Sequence, residues 1–420
     1  MGKESLNKAK FSVLVFCMLV NIAYAQTGLF SELPLIPDSF SVEDRAKYDK
    51  LLNDSAITEI RLVSVAHLPS VQSGGLLNLA APGMNCSAQV KAKHVEHGAT
   101  GGFLWYGEGQ GDGQDTSCLG GSVTLMSKDG ALSGAIEIGD HVYELYGLGG
   151  GQSLLAKKDF TAARWACGNG MPGSEPPFNG HEESTALSDR QEDCCVIRAL
   201  ALFTPNAAAA VPDIETTIEM TIAQTNQAFR NSLLSRCEAL VVLEDIQPLA
   251  FVENQVDIEQ DLEDLIADMQ APNGDINQRR DAADADIVLV FTGGDYRVVF
   301  GGFVFLVQGI AGTLDLEADR ALAIIEAGAA VNQFTGAHEI GHLLSARHEP
   351  CLGNPFAGPT CNDTGPFEHA HTMNIFNLFR LNTMMFGLAG RRLQAFSTPN
   401  VEVFSTPFGI ENERDNARRI

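Results

Sequence analysis

His338-Glu339-Ile340-Gly341-His342 sets two imidazoles four residues apart with a carboxylate beside the first. On a helix, positions i and i+4 share a face, so both rings can reach one ion. Glu339 projects near the same point and can take a proton from water there without being a ligand itself. His348 lies six residues past His342, too far round to share that face if the helix continued. The chain must therefore turn back to bring His348 in as a third ligand. Three neutral protein ligands leave the fourth position open, the catalytic rather than the closed arrangement for zinc. Zinc so held lowers the pKa of water to about 7 and polarises a carbonyl, which suits hydrolysis. The competing reading is a buried helix with incidental histidines.

Such a helix needs a sheet behind it, and residues 196–420 alternate strand and helix patterns. Val196–Phe203 reads as an apolar strand. Residues 213–236 place Ile214, Ile218, Ile222, Phe229 and Leu233 near one helical face. Leu240–Leu243 reads as a strand, Ile258–Met269 as an amphipathic helix, and Ile287–Phe291 and Phe303–Val307 as further strands. Ala321–Ile325 is the last strand expected, before a helix running through residue 344. The order indicates an α/β sandwich. The acidic run Glu259–Asp268 reads as a solvated helix face, without the loop-type spacing of a calcium site.

Upstream, residues 26–167 read as short strands split by glycine-rich turns, a small β-domain. Ser122–Met126, Ala135–Ile138 and His141–Leu145 are its clearest strands. Its histidines, His67, His94, His97 and His141, are scattered and read as loop or surface residues. Residues 168–195 are rich in Gly, Pro, Ser and acidic groups, an exposed linker suited to a maturation cut. Residues 1–25 have the layout of a signal peptide: Lys3, Lys8 and Lys10, then an apolar Phe11–Val20 stretch, then Ala23-Tyr24-Ala25. The apolar stretch is shorter than the roughly 20 residues a membrane span needs. An exported protein, soluble and monomeric after signal cleavage, is expected, either released from the cell or held in a periplasm.

The formal charge of −25 argues against a nucleic-acid partner and against docking on anionic lipid. With 45% hydrophobic residues the chain can bury a core. Of nine cysteines, Cys17 falls in the apolar leader, which leaves eight. In an oxidising compartment an even number reads as disulfides, Cys86 with Cys118 and Cys351 with Cys361 by proximity.

The motif resembles that of the metzincin clan of zinc endopeptidases, HExxHxxGxxH followed by a Met-turn. Within the clan, residues 196–420 are most similar to reprolysin-like bacterial secreted proteases, including the peptidyl-Asp metalloendopeptidase type. The resemblance implies an α/β (α+β) catalytic domain with a twisted mixed sheet and a long active-site helix, preceded by a mostly-β propeptide domain. It also implies one catalytic Zn2+ on His338, His342 and His348, Glu339 as general base, and protein or peptide substrates. Asn382-Thr383-Met384-Met385-Phe386-Gly387 resembles the Met-turn, with Met385 beneath the ligands or Met384 in its place. Phe396-Ser397-Thr398-Pro399-Asn400 and Asp415-Asn416-Ala417-Arg418 are similar to the end of these domains.

The sequence departs from the pattern at Ser345, which replaces the glycine that turns the chain toward the third ligand, and at Glu349, where reprolysins carry Asp. No tyrosine follows Tyr296, so the tyrosine that assists zinc in some metzincins has no counterpart. Cys167-Gly168 before Met171-Pro172 resembles a cysteine switch, with a disulfide to Cys194 or Cys195 as the other reading. Arg391 and Arg392 follow the Met-turn, where metzincins border the pocket for the residue after the cut bond. One of them would favour an acidic residue there; otherwise they are surface arginines. His369 and His371 are expected to line the loop leading to the Met-turn rather than to hold a second metal. The alternative to an enzyme is an inactive metzincin-like binding or adhesion module, which would be expected to lack a ligand or the glutamate.

Overall fold

The computed structural model describes residues 29–65, 73–84, 87–97, 102–110, 120–139, 141–159, 165–166, 196–232, 241–254, 256–300, 303–313, 317–348, 369–375, 379–386, 392–403, 406–410 and 416–420. The leader 1–25, the linker 168–195 and all the cysteines lie outside these residues, and so do Arg391 and Glu349.

The N-terminal region builds a sheet of β1 (Phe30–Leu33), β2 (Ile57–Val65), β3 (Leu76–Leu79), β4 (Ala88–His97), β5 (Phe103–Gln110), β6 (Gly121–Lys128), β7 (Ala131–Ile138), β8 (His141–Leu148) and β9 (Gln152–Lys158). All neighbours are antiparallel, in the order β1-β2-β9-β8-β7-β6-β5-β4-β3. The tight β6–β7 hairpin forms because Asp129 and Gly130 both take positive φ, 51° and 78°, whose twist matches the flanking strands. Along β4 the residues alternate buried and exposed, the mark of a sheet with one covered face. A helix, α1 (Val42–Asn53), adds to the expected all-strand domain. It buries only Leu51, so its sequence carries no apolar stripe; Ser41 caps it by accepting from the Asp44 N–H at 3.0 Å.

The short β10 (Trp165–Ala166) follows. From residue 196 the architecture changes to a five-stranded sheet, β12-β11-β13-β17-β16. Here β11 (Ile197–Phe203), β12 (Val241–Pro248), β13 (Ile287–Thr292) and β17 (Leu322–Glu326) are parallel, and β16 (Gly309–Ala311) is an antiparallel edge. β13 is buried at every position because helices cover both faces. On one face Ala199, Ala201, Leu289 and Phe291 pack with Phe229 and Ile340. These last two belong to α3 (Ile214–Asn231) and α6 (Thr335–Leu343). On the other face Leu200, Leu202, Val288 and Val290 meet Leu262, Leu265 and Ile276. α4 (Ile258–Gln270) and α5 (Asp275–Ala282) supply those side chains, and the short α2 (Pro205–Ala210) follows β11. β14 (Arg297–Phe300) and β15 (Phe303–Val307) form a hairpin, and β10 pairs parallel with β15.

Two expectations are corrected. The helix carrying the histidines has only 9 residues and is not long. Glu326 accepts from the Gly328 N–H at 2.8 Å, which turns the chain, and Phe334 takes a left-handed φ of 53° before the helix begins. A side chain competing for backbone groups thus overrides an apolar, helix-like run. Second, the acidic face of α4 is not wholly solvated. Asp261 is buried, with both oxygens accepting from the Asn254 N–H at 2.9 Å and Oδ2 from the Tyr296 hydroxyl at 2.8 Å. Burial raises the Asp261 carboxyl above its ordinary range.

Candidate metal centre

α6 lies between α3 on one side and Met385 and Phe396 on the other, and glycines set both approaches. A Cβ at Gly336 would stand 2.0 Å from Thr221 of α3. One at Gly341 would stand 2.6 Å from Met385 Sδ and 2.7 Å from Phe396 Cε1. The glycine inside the motif therefore admits the methionine directly beneath the helix.

Three imidazoles converge above that floor. His338 Nε2 and His342 Nε2 each lie 3.0 Å from His348 Nε2, and the three groups can face one ion. All three residues are buried. The His338 Nδ1–H donates to the Met384 carbonyl at 2.8 Å, and the His342 Nδ1–H donates to the Ala346 carbonyl at 2.8 Å. These bonds place the protons on Nδ1 and turn the Nε2 lone pairs toward the shared point. Burial pushes His338 and His342 well below the ordinary histidine range, and neighbouring positive charge adds to it. Both rings are therefore neutral, the state a ligand requires. Three inward Nε2 donors on fixed rings fit a metal ion with nitrogen ligands.

His348 reaches the cluster because α6 ends in a tight reversal. The Ala346 N–H bonds to the Gly341 carbonyl at 2.9 Å and the Ser345 N–H to the His342 carbonyl at 2.8 Å. This is a Schellman motif, with Ser345 at the left-handed position where glycine is usual, φ 70°. Ser345 is buried and its hydroxyl has no partner among the described residues.

Beyond the turn, Arg347 bridges to His369, and the His369 Nδ1–H donates to the His348 carbonyl at 2.8 Å. Asn416 Nδ2 donates to the Arg347 carbonyl at 3.3 Å, and Ser397 Oγ, with one proton to give, lies 2.6 Å from the His369 carbonyl and 2.7 Å from Asn416 Oδ1 while accepting from the Asn416 N–H at 2.9 Å. His369 thus braces the third histidine of the cluster. Sequence reasoning found the loop and missed the brace, for which the only signal was the polar HAH pair in an apolar stretch.

Glu339 is fully buried beside the first histidine. A Cβ at Gly309 would fall 2.6 Å from Glu339 Oε1, so the edge strand β16 passes against the carboxylate. Met384 and Met385 divide the work of the turn: the former supplies a carbonyl to His338, the latter a side chain under Gly341. Arg392 is buried rather than a surface residue. Its Nε donates to the Phe386 carbonyl at 2.9 Å and its Nη1 to the Gln333 carbonyl at 2.9 Å, tying the turn through Phe386 to the entry of α6.

Residues 216–349 match the Reprolysin-like description of metallo-peptidase family M12B, a stretch that runs from α3 to just past His348. A peptidyl-Asp metalloendopeptidase of Xanthomonas campestris pv. campestris is 23% identical over 97% of this chain and 94% of its own length. One from Stenotrophomonas maltophilia is 24% identical over 79% of this chain and 77% of its own. A solved structure, metalloproteinase-II from Bacteroides fragilis, is 14% identical with a TM-score of 0.37 over 74% of this chain and 87% of that one, a likeness too distant to carry weight.

Proposed function

We propose that this chain is a reprolysin-like, zinc-dependent metalloendopeptidase, secreted and made as a zymogen; the match of residues 216–349 to that family description and the metalloendopeptidase relatives support the reading. The observation that carries the reading is the convergence of three buried Nε2 atoms, two of them with Nδ1 locked to a carbonyl. His338, His342 and His348 would hold the ion. When bound, zinc supplies Lewis-acid polarisation of the scissile carbonyl and acidifies water. Glu339 then acts as general base: its carboxylate takes the proton from the attacking water and returns it to the leaving amine. Its burial against Gly309 keeps it from competing solvent. Met385 supports the ligand helix from below. An inactive binding module has nothing specific in its favour, since the glutamate and all three histidines are present.

Residues 26–167 are read as the propeptide domain and 168–195 as the connector cut on maturation. β10 runs parallel to β15 toward Gly309 and ends one residue before Cys167. That path supports a latent form in which the Cys167 thiolate occupies the open ligand position, a disulfide being its competing fate. The relatives act, by name, at peptidyl-Asp, and a basic residue near the pocket suits that preference. Arg392 is engaged with backbone carbonyls, so it positions the pocket wall, while Arg391 is the better reader of an acidic side chain.

The test is cleavage of a mixed peptide library by the chain activated within 168–195, with Glu339→Gln as control. Chelator-sensitive cuts that fall about 10²–10⁴-fold in the variant are expected. A folded, metal-loaded Glu339→Gln protein with undiminished cleavage would overturn the mechanism. Cuts at apolar residues alone would remove the acidic preference and leave the peptidase standing.

A further inference from the structure

The N-terminal and catalytic domains meet over a surface that proteolysis does not use, along α3 and onto the turn 326–332. Lys50 Nζ donates to the carbonyls of Ala208 (2.7 Å) and Val211 (2.9 Å). Lys128 pairs with Glu219 at 2.8 Å, Arg230 with Glu96 at 2.6 Å, and Asn231 Nδ2 donates to the Tyr106 hydroxyl at 3.1 Å. Met126 and Ala135 pack against Met220 and Val331 between them. At the far end Lys158 donates to the Gly328 carbonyl at 3.3 Å, and Asn332 donates to Glu144. Lys158 is held in place by Glu144 at 2.8 Å and Asp54 at 3.4 Å.

Glu326 stands beside this grip, two residues before Gly328, whose carbonyl accepts from Lys158. Its carboxylate accepts from the Gly328 N–H. Lys158 of β9 and Asp54 after α1 act on it from the N-terminal domain, with Glu144 of β8 behind Lys158. In its own domain, its neighbours Thr292 in β13 and Gln308 are uncharged. We propose that the N-terminal domain, once the 168–195 connector is cut, stays seated on α3 and the turn 326–332 as a non-covalent partner, and that loss of a proton from Glu326 loosens it. The proposal rests on the reading of residues 26–167 as a separable domain.

Burial pushes the Glu326 carboxyl up to about 7, against the pull of the Gly328 and Ala329 N–H groups and Lys158. Burial also opposes the charge on Lys158, but Glu144 and Asp54 outweigh it and hold that amine protonated. Ionising Glu326 therefore sets three carboxylates around one lysine. Separated from its partner, Glu326 returns toward an ordinary pKa of about 4.3. The docked state binds the extra proton between those two values. Docking is thus strongest at acid pH, weakens by about tenfold per pH unit through that window, and levels off above pH 7.

The full chain is fitted with a specific protease site within 168–195, cut, and run by size exclusion at pH 5 and pH 7.5 with a non-reducing gel of each peak. The two fragments are expected to co-elute without a covalent link at pH 5 and to dissociate with an affinity on the order of 50-fold weaker at pH 7.5. Glu326→Gln, neutral throughout, should keep them together at both values. Lys158→Gln should weaken them at both, which guards against a misfolded Glu326 variant. Separation at pH 5, a covalent link, or an identical pH response in Glu326→Gln would each overturn the proposal. Elution is read rather than cleavage, so failure here leaves the peptidase reading untouched.

Discussion

At the C-terminal end of α6 every anchor comes from the catalytic domain: the Schellman turn through Ser345, the His369 bond to His348, and Asn416 on Arg347. At its N-terminal end Arg392 holds Gln333 from the same domain, but the chain just before is also held by another domain, through Asn332 on Glu144 and Lys158 on Gly328. The geometry of the ligands is thus internal to the catalytic unit, whereas the approach to the helix is open to an outside partner. On the proposed reading, such a division would let the first domain leave without dismantling the histidine cluster. Changes at the C-terminal end should therefore alter metal and catalysis, and changes at the N-terminal end should alter domain association.

The largest effect expected is at the ligands themselves. His342→Ala should abolish stoichiometric zinc binding and all cleavage, while Glu339→Gln keeps the metal and loses only turnover. Metal content by mass spectrometry, beside activity, separates the two; a metal-free Glu339→Gln protein would show that the carboxylate has a structural role. Bracing residues come next. His369→Ala and Asn416→Ala should each weaken zinc by about 10–100-fold, the usual range for groups that orient a ligand. In competition titrations with a chelator, Asn332→Ala should leave affinity unchanged. If it weakens zinc as much as His369→Ala does, the contrast between the two ends fails.

Gly341→Ala probes the floor. Its Cβ would meet Met385 Sδ and Phe396, both fully buried, so overpacking of about 1–3 kcal/mol is expected in denaturant unfolding. An unchanged midpoint would mean that Met385 can swing clear, and that the floor is not fixed by this contact.

What the sequence made legible follows the range of the interactions. The i, i+4 histidines, the neighbouring glutamate and the apolar strands are local patterns, and His338, Glu339, His342 and β13 fall where the pattern puts them. His348 was legible as a candidate third ligand, and the structure brings its Nε2 to the other two through a turn whose usual glycine is a serine. α1 was hidden because it buries a single leucine. The length of α6 was misread because Glu326 diverts the chain, and no propensity of Ala329-Ala330 reveals that. Asn332 and Glu144 lie 188 residues apart, and no spacing rule connects them.

The smallest predicted effect tests the departure from the motif directly. Ser345 holds φ 70° with its hydroxyl buried and unpartnered among the described residues. A side chain in the left-handed region costs about 1 kcal/mol relative to glycine, and glycine gives back part of that through its greater freedom when unfolded. Ser345→Gly should therefore stabilise the protein by at most about 1 kcal/mol in denaturant unfolding, with the zinc affinity and the cleavage rate unchanged. Because the turn is already closed by the Gly341 and His342 carbonyls, the serine strains the backbone without moving His348. A gain in turnover rather than in stability would show the opposite, that the serine holds the third ligand short of its best position and that this enzyme is detuned at its own motif.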